Sequence, residues 1–390
     1  MPDRRTLAPG GFTPMLYRST FLLAIVVVLA GLSARGQAQG GDAGNWAEIQ
    51  KAAIAEGGQL NVTGPPSPAL RAALSAAFKA RHGITLNYFA DTTSAIVARI
   101  DEEFKANKLS IDAHIGGMST CWLFAARGQL LDMNGKLVDP DILKPGVWQR
   151  GAPKLTELSA TGTGPSDPKC AFQTTEWVYN SVFKNTDVVK TPIKSWNDLL
   201  KSEFKDKIVS FDVRSSGPGE PPAAYLAKVM GDDYVKKLYI GQDVKFSTDS
   251  RQLAEWVARG EASIGIGLVQ FAVEIYRRQG LPIAPVIVDD GFGGASTTGG
   301  FGCVMLFKNS PHPNSAQVFA NWMGTKEAQE IYETNMMETS LRTDVNTGAA
   351  VPDYVREDPN VKYKIDDYVY SWYIGKRAEH ISTLTKQLPR

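Results

Sequence analysis

A short unit recurs along this chain: a run of apolar residues, a corner of Gly, Ser and Thr, then apolar residues at helical spacing. It is clearest at residues 207–231, KIVSFDVRSSGPGEPPAAYLAKVMG. Ile208, Val209, Phe211 and Val213, with Ser210 and Asp212 between them, predict a strand. The strand stops at Arg214, Ser215, Ser216, Gly217, Pro218 and Gly219. A helix starts near Pro221 or Pro222, where a missing N–H costs nothing, and ends at Gly231. The same unit is read at residues 60–63 before Gly64-Pro65-Pro66 and an N-cap at Ser67, and at 84–89 before Asp91-Thr92-Thr93-Ser94. It returns at 112–115 before Gly116-Gly117-Met118-Ser119-Thr120, and at 262–267 before a helix over 269–279. Such alternation predicts an α/β fold with mostly parallel sheets flanked by helices.

In open α/β sheets, ligands bind where strands end and helices begin, and free N–H groups there favour an anion. That logic makes Ser67, Thr93, Ser94, Ser119, Arg214, Ser215, Ser216, Gly217 and Gly267 candidate ligand-binding residues. Each corner is equally explained as a helix cap or turn; their shared place at strand ends is what suggests a cleft. Thr174 and Thr175, in the strand-like run 170–179 (CAFQTTEWVY), join the candidates because the chain there passes from one half to the other. The segment 130–164 reads as loop and short helix. The glycine-rich stretch 290–302, DGFGGASTTGGFG, reads as a mobile hinge or ligand loop. Aromatic residues of the tail, Tyr363, Tyr368, Tyr370, Trp372 and Tyr373, read as packing groups.

A chain of 390 residues is too long for one ordinary core and fits two. Charged residues make up 21%, with no block of one sign, so a nucleic-acid partner is not expected. Residues 21–32, FLLAIVVVLAGL, form an apolar run short for a bilayer, with Arg18 before it and small residues around Ala38 after it. Residues 1–38 therefore read as a cleaved secretory signal peptide, with Met15 an alternative start and Arg4-Arg5 far from the apolar run. Without them the net charge is about −2. Cys121, Cys170 and Cys303 have no zinc spacing; an oxidising compartment permits one disulfide, but three buried free thiols are expected.

Catalytic signatures are missing from the sequence. His82, His114, His312 and His380 form no HExxH pair, and there is no G-x-S-x-G elbow, phosphate loop or complete dinucleotide fingerprint. The acids Asp101, Glu102 and Glu103 read as a solvated helix face. No enzyme activity, cofactor or metal is expected.

In their order, the segments IDAHIGG and ARGQLLDM, QTTEWVYN, SWNDLL before KDKIVSFD, RSSGPG, WVARGEASIGIG and PHPNSAQVFANWM resemble the periplasmic solute-binding proteins of ABC importers. More narrowly, they resemble the extracellular solute-binding group that includes the ferric-iron binders. The resemblance spans nearly the whole chain after residue 38. It implies a type II periplasmic binding protein fold, with lobe 1 made of 39–172 and 296–325 and lobe 2 of 173–295 and 326–390. It also implies a ligand cleft between the lobes, a monomer in the periplasm, a small-molecule solute, and an ABC permease with its ATPase subunits as partners. Ferric binders carry adjacent tyrosines just after the strand that SIGIG matches; here that place holds Leu268-Val269-Gln270. A hard ferric ion wants oxygen anions, so the expected guest is a small polar or anionic solute of carboxylate, phosphate or phosphonate type. Arg214 is the candidate charge partner, and Arg342 is a further candidate or a structural pair for Asp344. Two alternatives stay open: ferric transport through Tyr88 or Tyr225, and a secreted α/β hydrolase if His114 or His312 meets a Ser and a carboxylate.

Overall fold

Corner chemistry sets the element boundaries. In the computed structural model, residues 38–157, 168–215, 217–287, 296–358, 360–361, 363–365 and 388 are described. The first part runs α1 (Ala38–Ala55), β1 (Gln59–Gly64), α2 (Pro68–His82), β2 (Thr85–Ala90), α3 (Thr93–Lys105), β3 (Ala113–Gly116) and α4 (Met118–Ala126). Ser67 Oγ accepts the Leu70 N–H at the start of α2, Pro68 opens the helix, and Gly83 closes it with φ 71°. A left-handed closing residue suits glycine, which lacks a Cβ. The apolar stripe of α2 is buried at Leu70, Leu74 and Phe78, and the Phe78 ring lies 5.5 Å from Phe319 and 5.1 Å from Trp322. At α3 the cap is Thr92, whose hydroxyl accepts from the Ala95 N–H.

The chain continues through β4 (Lys154–Glu157), β5 (Lys169–Gln173), β6 (Trp177–Tyr179) and β7 (Val182–Asn185). Next come β8 (Ile208–Phe211), α5 (Glu220–Met230), α6 (Asp232–Lys236), β9 (Lys245–Ser247), α7 (Ser250–Ala258), β10 (Ile264–Ile266), α8 (Gln270–Arg277) and β11 (Ile283–Pro285). The last elements are β12 (Ser296–Thr298), β13 (Cys303–Leu306), α9 (Pro313–Met323), α10 (Lys326–Met336) and β14 (Lys364–Ile365).

The strands form two principal mixed sheets, one per lobe. The first has the order β2-β1-β3-β13-β5-β4 and the second β11-β7-β10-β8-β9. In the first, β2, β1, β3 and β5 run one way, and β13 and β4 the other. In the second, β7 alone opposes its neighbours. A third sheet, β14-β12-β6, pairs the two connections: Ser296 faces Tyr179, Thr297 faces Val178 and Thr298 faces Trp177. The main apolar core runs from the first sheet through α9, α10 and α8 into the second.

Several expectations change. The segment 130–164 is not all loop, since it holds β4, an edge strand paired with β5. The run 170–179 is not one strand but breaks at Thr174-Thr175-Glu176 between two sheets. The expected trio of free thiols is wrong: Cys121 and Cys170 form a disulfide with α-carbons 6.0 Å apart, and Cys303 stays a buried thiol. Packing of α4 on β5 brings these distant cysteines together. Of the glycine-rich stretch, Ser296 to Thr298 is strand, while 290–295 lies outside the described residues, as do the signal-peptide reading over 1–37 and the tail residues Tyr368, Tyr370, Trp372 and Tyr373. Tyr363 is half-buried.

Candidate functional site

Register places the corners. Strands β1, β2 and β3 point their C-terminal ends to one edge of the first sheet, so the corners at Ser67, Thr92 and Gly117 share that edge. The corners after β8 and β10 share one edge of the second, where Ser210 pairs with Ile266. The connections join these edges. Gln173, the last residue of β5, sits beside Cys303, which pairs with Gly116 at the end of β3. Val182, the first residue of β7, pairs with Ile266 at the end of β10. A chain leaving one corner edge therefore enters at the other, and both sets of corners border the junction of the lobes.

The candidate residues differ in what they offer there. Ser119 is half-buried in the first turn of α4, beside Gly117, where an added Cβ would lie 3.2 Å from the Gly300 carbonyl. Thr93 and Ser94 are half-buried in the first turn of α3, whose cap is Thr92 rather than either of them. Ser67 is buried and caps α2. Ser215 and Gly217 are half-buried in the corner before α5, and Ser216 lies outside the described residues. Gly267 is buried, with φ 73° and its α-carbon against the Pro218–Gly219 backbone, so it joins the two corners of the second sheet. Tyr179 of β6 donates its O–H to the Pro218 carbonyl and ties that corner to the crossing.

The threonines and arginines have internal duties. The Thr174 hydroxyl donates to Gly302 O at 2.9 Å, and Thr175 Oγ1 lies 2.9 Å from Gly299 O and 3.1 Å from Glu338 Oε2. Both threonines are fully buried and hold the crossing together. Arg214 grips Asp212 with two N–H groups, at 2.8 and 2.7 Å, and its guanidinium lies over the Phe246 ring. Arg342 is buried; it pairs with both oxygens of Asp344 and donates to Gly324 O, the structural one of the two roles left open for it. Glu338 has no counterpart among the sequence candidates, and its only signal was an acid flanked by Met336 and Met337.

The tyrosines and histidines decide the alternatives. Tyr88 donates its O–H to Pro65 O, and burial pushes its phenol far above the usual range. Burial also raises the Tyr225 phenol. Among the described residues no group of His, Cys, Asp and Glu is arranged to hold a metal ion. His312, Ser310 and Asp112 do meet, but both the Ser310 hydroxyl and His312 Nδ1 bond the carboxylate, at 2.7 and 3.0 Å. Asp112 also accepts the backbone N–H of Asn61 and of His312. This knot fixes β1, β3 and the start of α9 at the edge opposite the corners; the serine faces the acid and not a histidine base. His114 Nδ1 is bonded to the Thr63 hydroxyl at 2.9 Å, and burial lowers its imidazole to about 4. A recess of about 540 Å³ beside Lys51, Arg81 and His82 also lies at that far edge.

Two lobes, each a mostly parallel mixed sheet flanked by helices and joined by paired crossings, define the type II periplasmic binding protein fold. The chain belongs to the bacterial extracellular solute-binding proteins, whose family model matches residues 61–330. It is 30% identical over 193 residues to an uncharacterised protein of Haemophilus influenzae, covering 47% of this chain and 51% of that one, so the match spans about half of that relative. Among solved structures it is similar to the periplasmic binding protein AfuA from Actinobacillus pleuropneumoniae, determined with fructose-6-phosphate bound (TM-score 0.66, 18% identity, 85% of this chain and 98% of that one). It is also similar to the periplasmic binding protein P5PA (TM-score 0.65, 19% identity, 84% and 98%) and to iron-bound HitA from Pseudomonas aeruginosa (TM-score 0.61, 15% identity, 84% and 98%).

Proposed function

We propose that this chain is the periplasmic solute-binding component of an ABC importer, and that it captures a small polar or anionic solute by lobe closure. The observation that carries the reading is the register of the crossings, which sets the corners of both sheets at the junction of the lobes. Closure would strip water from the solute and replace it with corner N–H and hydroxyl groups, leaving the solute unaltered for the permease and its ATPase subunits. The lobes proposed are residues 39–172 with 296–325 and residues 173–295 with 326–390; α10, at the start of the last segment, touches α2 and α9 as well as α8. Secretion through a cleaved leader, a monomeric state and the absence of enzyme chemistry belong to the same proposal.

The solute class follows from what is free. Arg214 is engaged by Asp212, so recognition of a carboxylate, phosphate or phosphonate would rest on Ser119, Ser215, Gly217 and backbone N–H groups. The fructose-6-phosphate of AfuA is a ligand of the same chemistry and a natural first probe. A thermal-shift screen with fructose-6-phosphate, inorganic phosphate, methylphosphonate, citrate and ferric citrate tests this. A rise in Tm with one of the acids supports the reading. A rise with the ferric salt alone, accompanied by a visible phenolate band, would replace it with iron transport.

A further inference from the structure

Positive charge collects at the far edge of the first sheet, away from the corners. A recess of about 540 Å³ lies there between α1, the end of α2 and α9. Lys51 and Arg81, both exposed, line it with the half-buried amide of Gln50, and among the described residues no carboxylate does. The recess also has an apolar side. Val318 of α9 is fully buried, while Ile54 of α1 is 51% exposed and offers aliphatic surface that water now covers.

Neither cation is spent inside the fold. Lys51 makes no ion pair or hydrogen bond among the described residues. Arg81 has Glu327 Oε2 at 3.8 Å, too long for a hydrogen bond, and that oxygen already accepts the Trp322 N–H at 3.0 Å. Asp139 lies farther from Arg81 and accepts the Asp141 N–H. Basic residues often serve the carbonyl end of a helix. In α2 Lys79 has that duty, since its Nζ reaches Gly83 O at 2.7 Å, and Arg81 is left over.

His82 adds a polar atom that the fold does not use. Its Nε2 is buried without a hydrogen-bond partner in the protein, which is rare for a native interior. The ring packs 5.1 Å from Phe78 and edge-on to Trp46 at 6.4 Å. Burial, and then the Arg81 charge, lower its imidazole to about 4, so at neutral pH the charges lining the recess are the two cations.

We propose that this recess is a second binding site, for a small organic anion whose charged head meets Lys51 and Arg81 and whose short apolar body covers Ile54. The head relieves the repulsion between two cations and takes charge-assisted hydrogen bonds from both. The body gains by removing the Ile54 side chain from water. The site is at the edge opposite the corners, so it stands whether or not the solute-trap reading holds.

The chain has four histidines, so their imidazole C2 protons are resolved by NMR, and the His82 signal is the one lost in His82→Gln. Hexanesulfonate is the probe. At pH 7 it should shift the His82 signal saturably, with a half-point below about 10 mM. No shift by that concentration would overturn the proposal. The double variant Lys51→Gln, Arg81→Gln changes two exposed side chains far from the corners, and should weaken binding roughly fivefold or more. A smaller change would mean that the cations do not hold the head, which contradicts the site. Methanesulfonate, the same head without the body, should bind about tenfold more weakly. Equal binding would remove the apolar half of the proposal. Hexylammonium should leave the signal where it is; an equal shift would mean adsorption on apolar surface alone and would overturn recognition of an anion.

Discussion

Gly267 and Gly219 meet backbone to backbone: a Cβ on Gly267 would lie 2.8 Å from the Gly219 α-carbon. Gly267 also has φ 73°, which L side chains rarely adopt. Conformation and contact thus demand glycine together, and the demand fixes the corner after β10 against the corner after β8. Gly267→Ala is expected to cost roughly 2–4 kcal/mol by strain and overpacking, read as a lower urea midpoint with the m-value unchanged. A cost under about 0.5 kcal/mol would show that the corners are not locked together.

The disulfide closes a sequence separation of 49 residues and staples α4 to β5. Reduction is expected to lower stability by roughly 2–5 kcal/mol. A thiol assay should find one reactive group after denaturation without reductant, Cys303, and none in the native protein, because Cys303 is buried. Three reactive thiols in denatured, unreduced protein would contradict the pairing.

His114 makes the protein sensitive to acid. Burial holds its imidazole at about 4, below the ordinary 6.5, so the unfolded chain binds the proton first. The stabilising contribution of the neutral ring is full above pH 6.5 and is lost as pH falls through about 4, a loss of about 3 kcal/mol. Urea midpoints between pH 7 and 4 should fall for the native sequence and fall less for His114→Asn.

Arg342 is an ion-pairing residue inside the fold. It is 3% exposed, bonds Asp344 through two nitrogens and Gly324 O through a third, and lies over the Trp148 ring. Arg342→Ala leaves Gly324 O and the face of Trp148 without a partner and should cost about 3 kcal/mol. Arg342→Lys should recover less than half of it, since an ammonium cannot reproduce the planar fork. Denaturant titration of both variants checks this.

Much of the fold was legible because local signals agreed. Ser67 marks the start of one helix by cap chemistry, and Ile208 to Phe211 mark a strand by pattern. What escaped depended on contacts between distant segments. β4 is polar KLTE and exists by pairing with β5. β9 is only three residues long, at a sheet edge. The break after Gln173 shows only once both sheets are known. For the site, hydroxyls at strand ends were found, but sequence could not separate caps such as Ser67, or clasps such as Thr174 and Thr175, from residues that remain half-buried at the junction, such as Ser119. Asp212 as the partner of Arg214, and Glu338 as the partner of Thr175, required coordinates, since neither has a motif.

Small-angle X-ray scattering of the purified protein, with and without the acid that gives the largest thermal shift, tests the two-lobed trap most directly. The predicted result is a smaller radius of gyration at saturation, reversed when the solute is dialysed away. An unchanged radius at a concentration that saturates the thermal shift would contradict it.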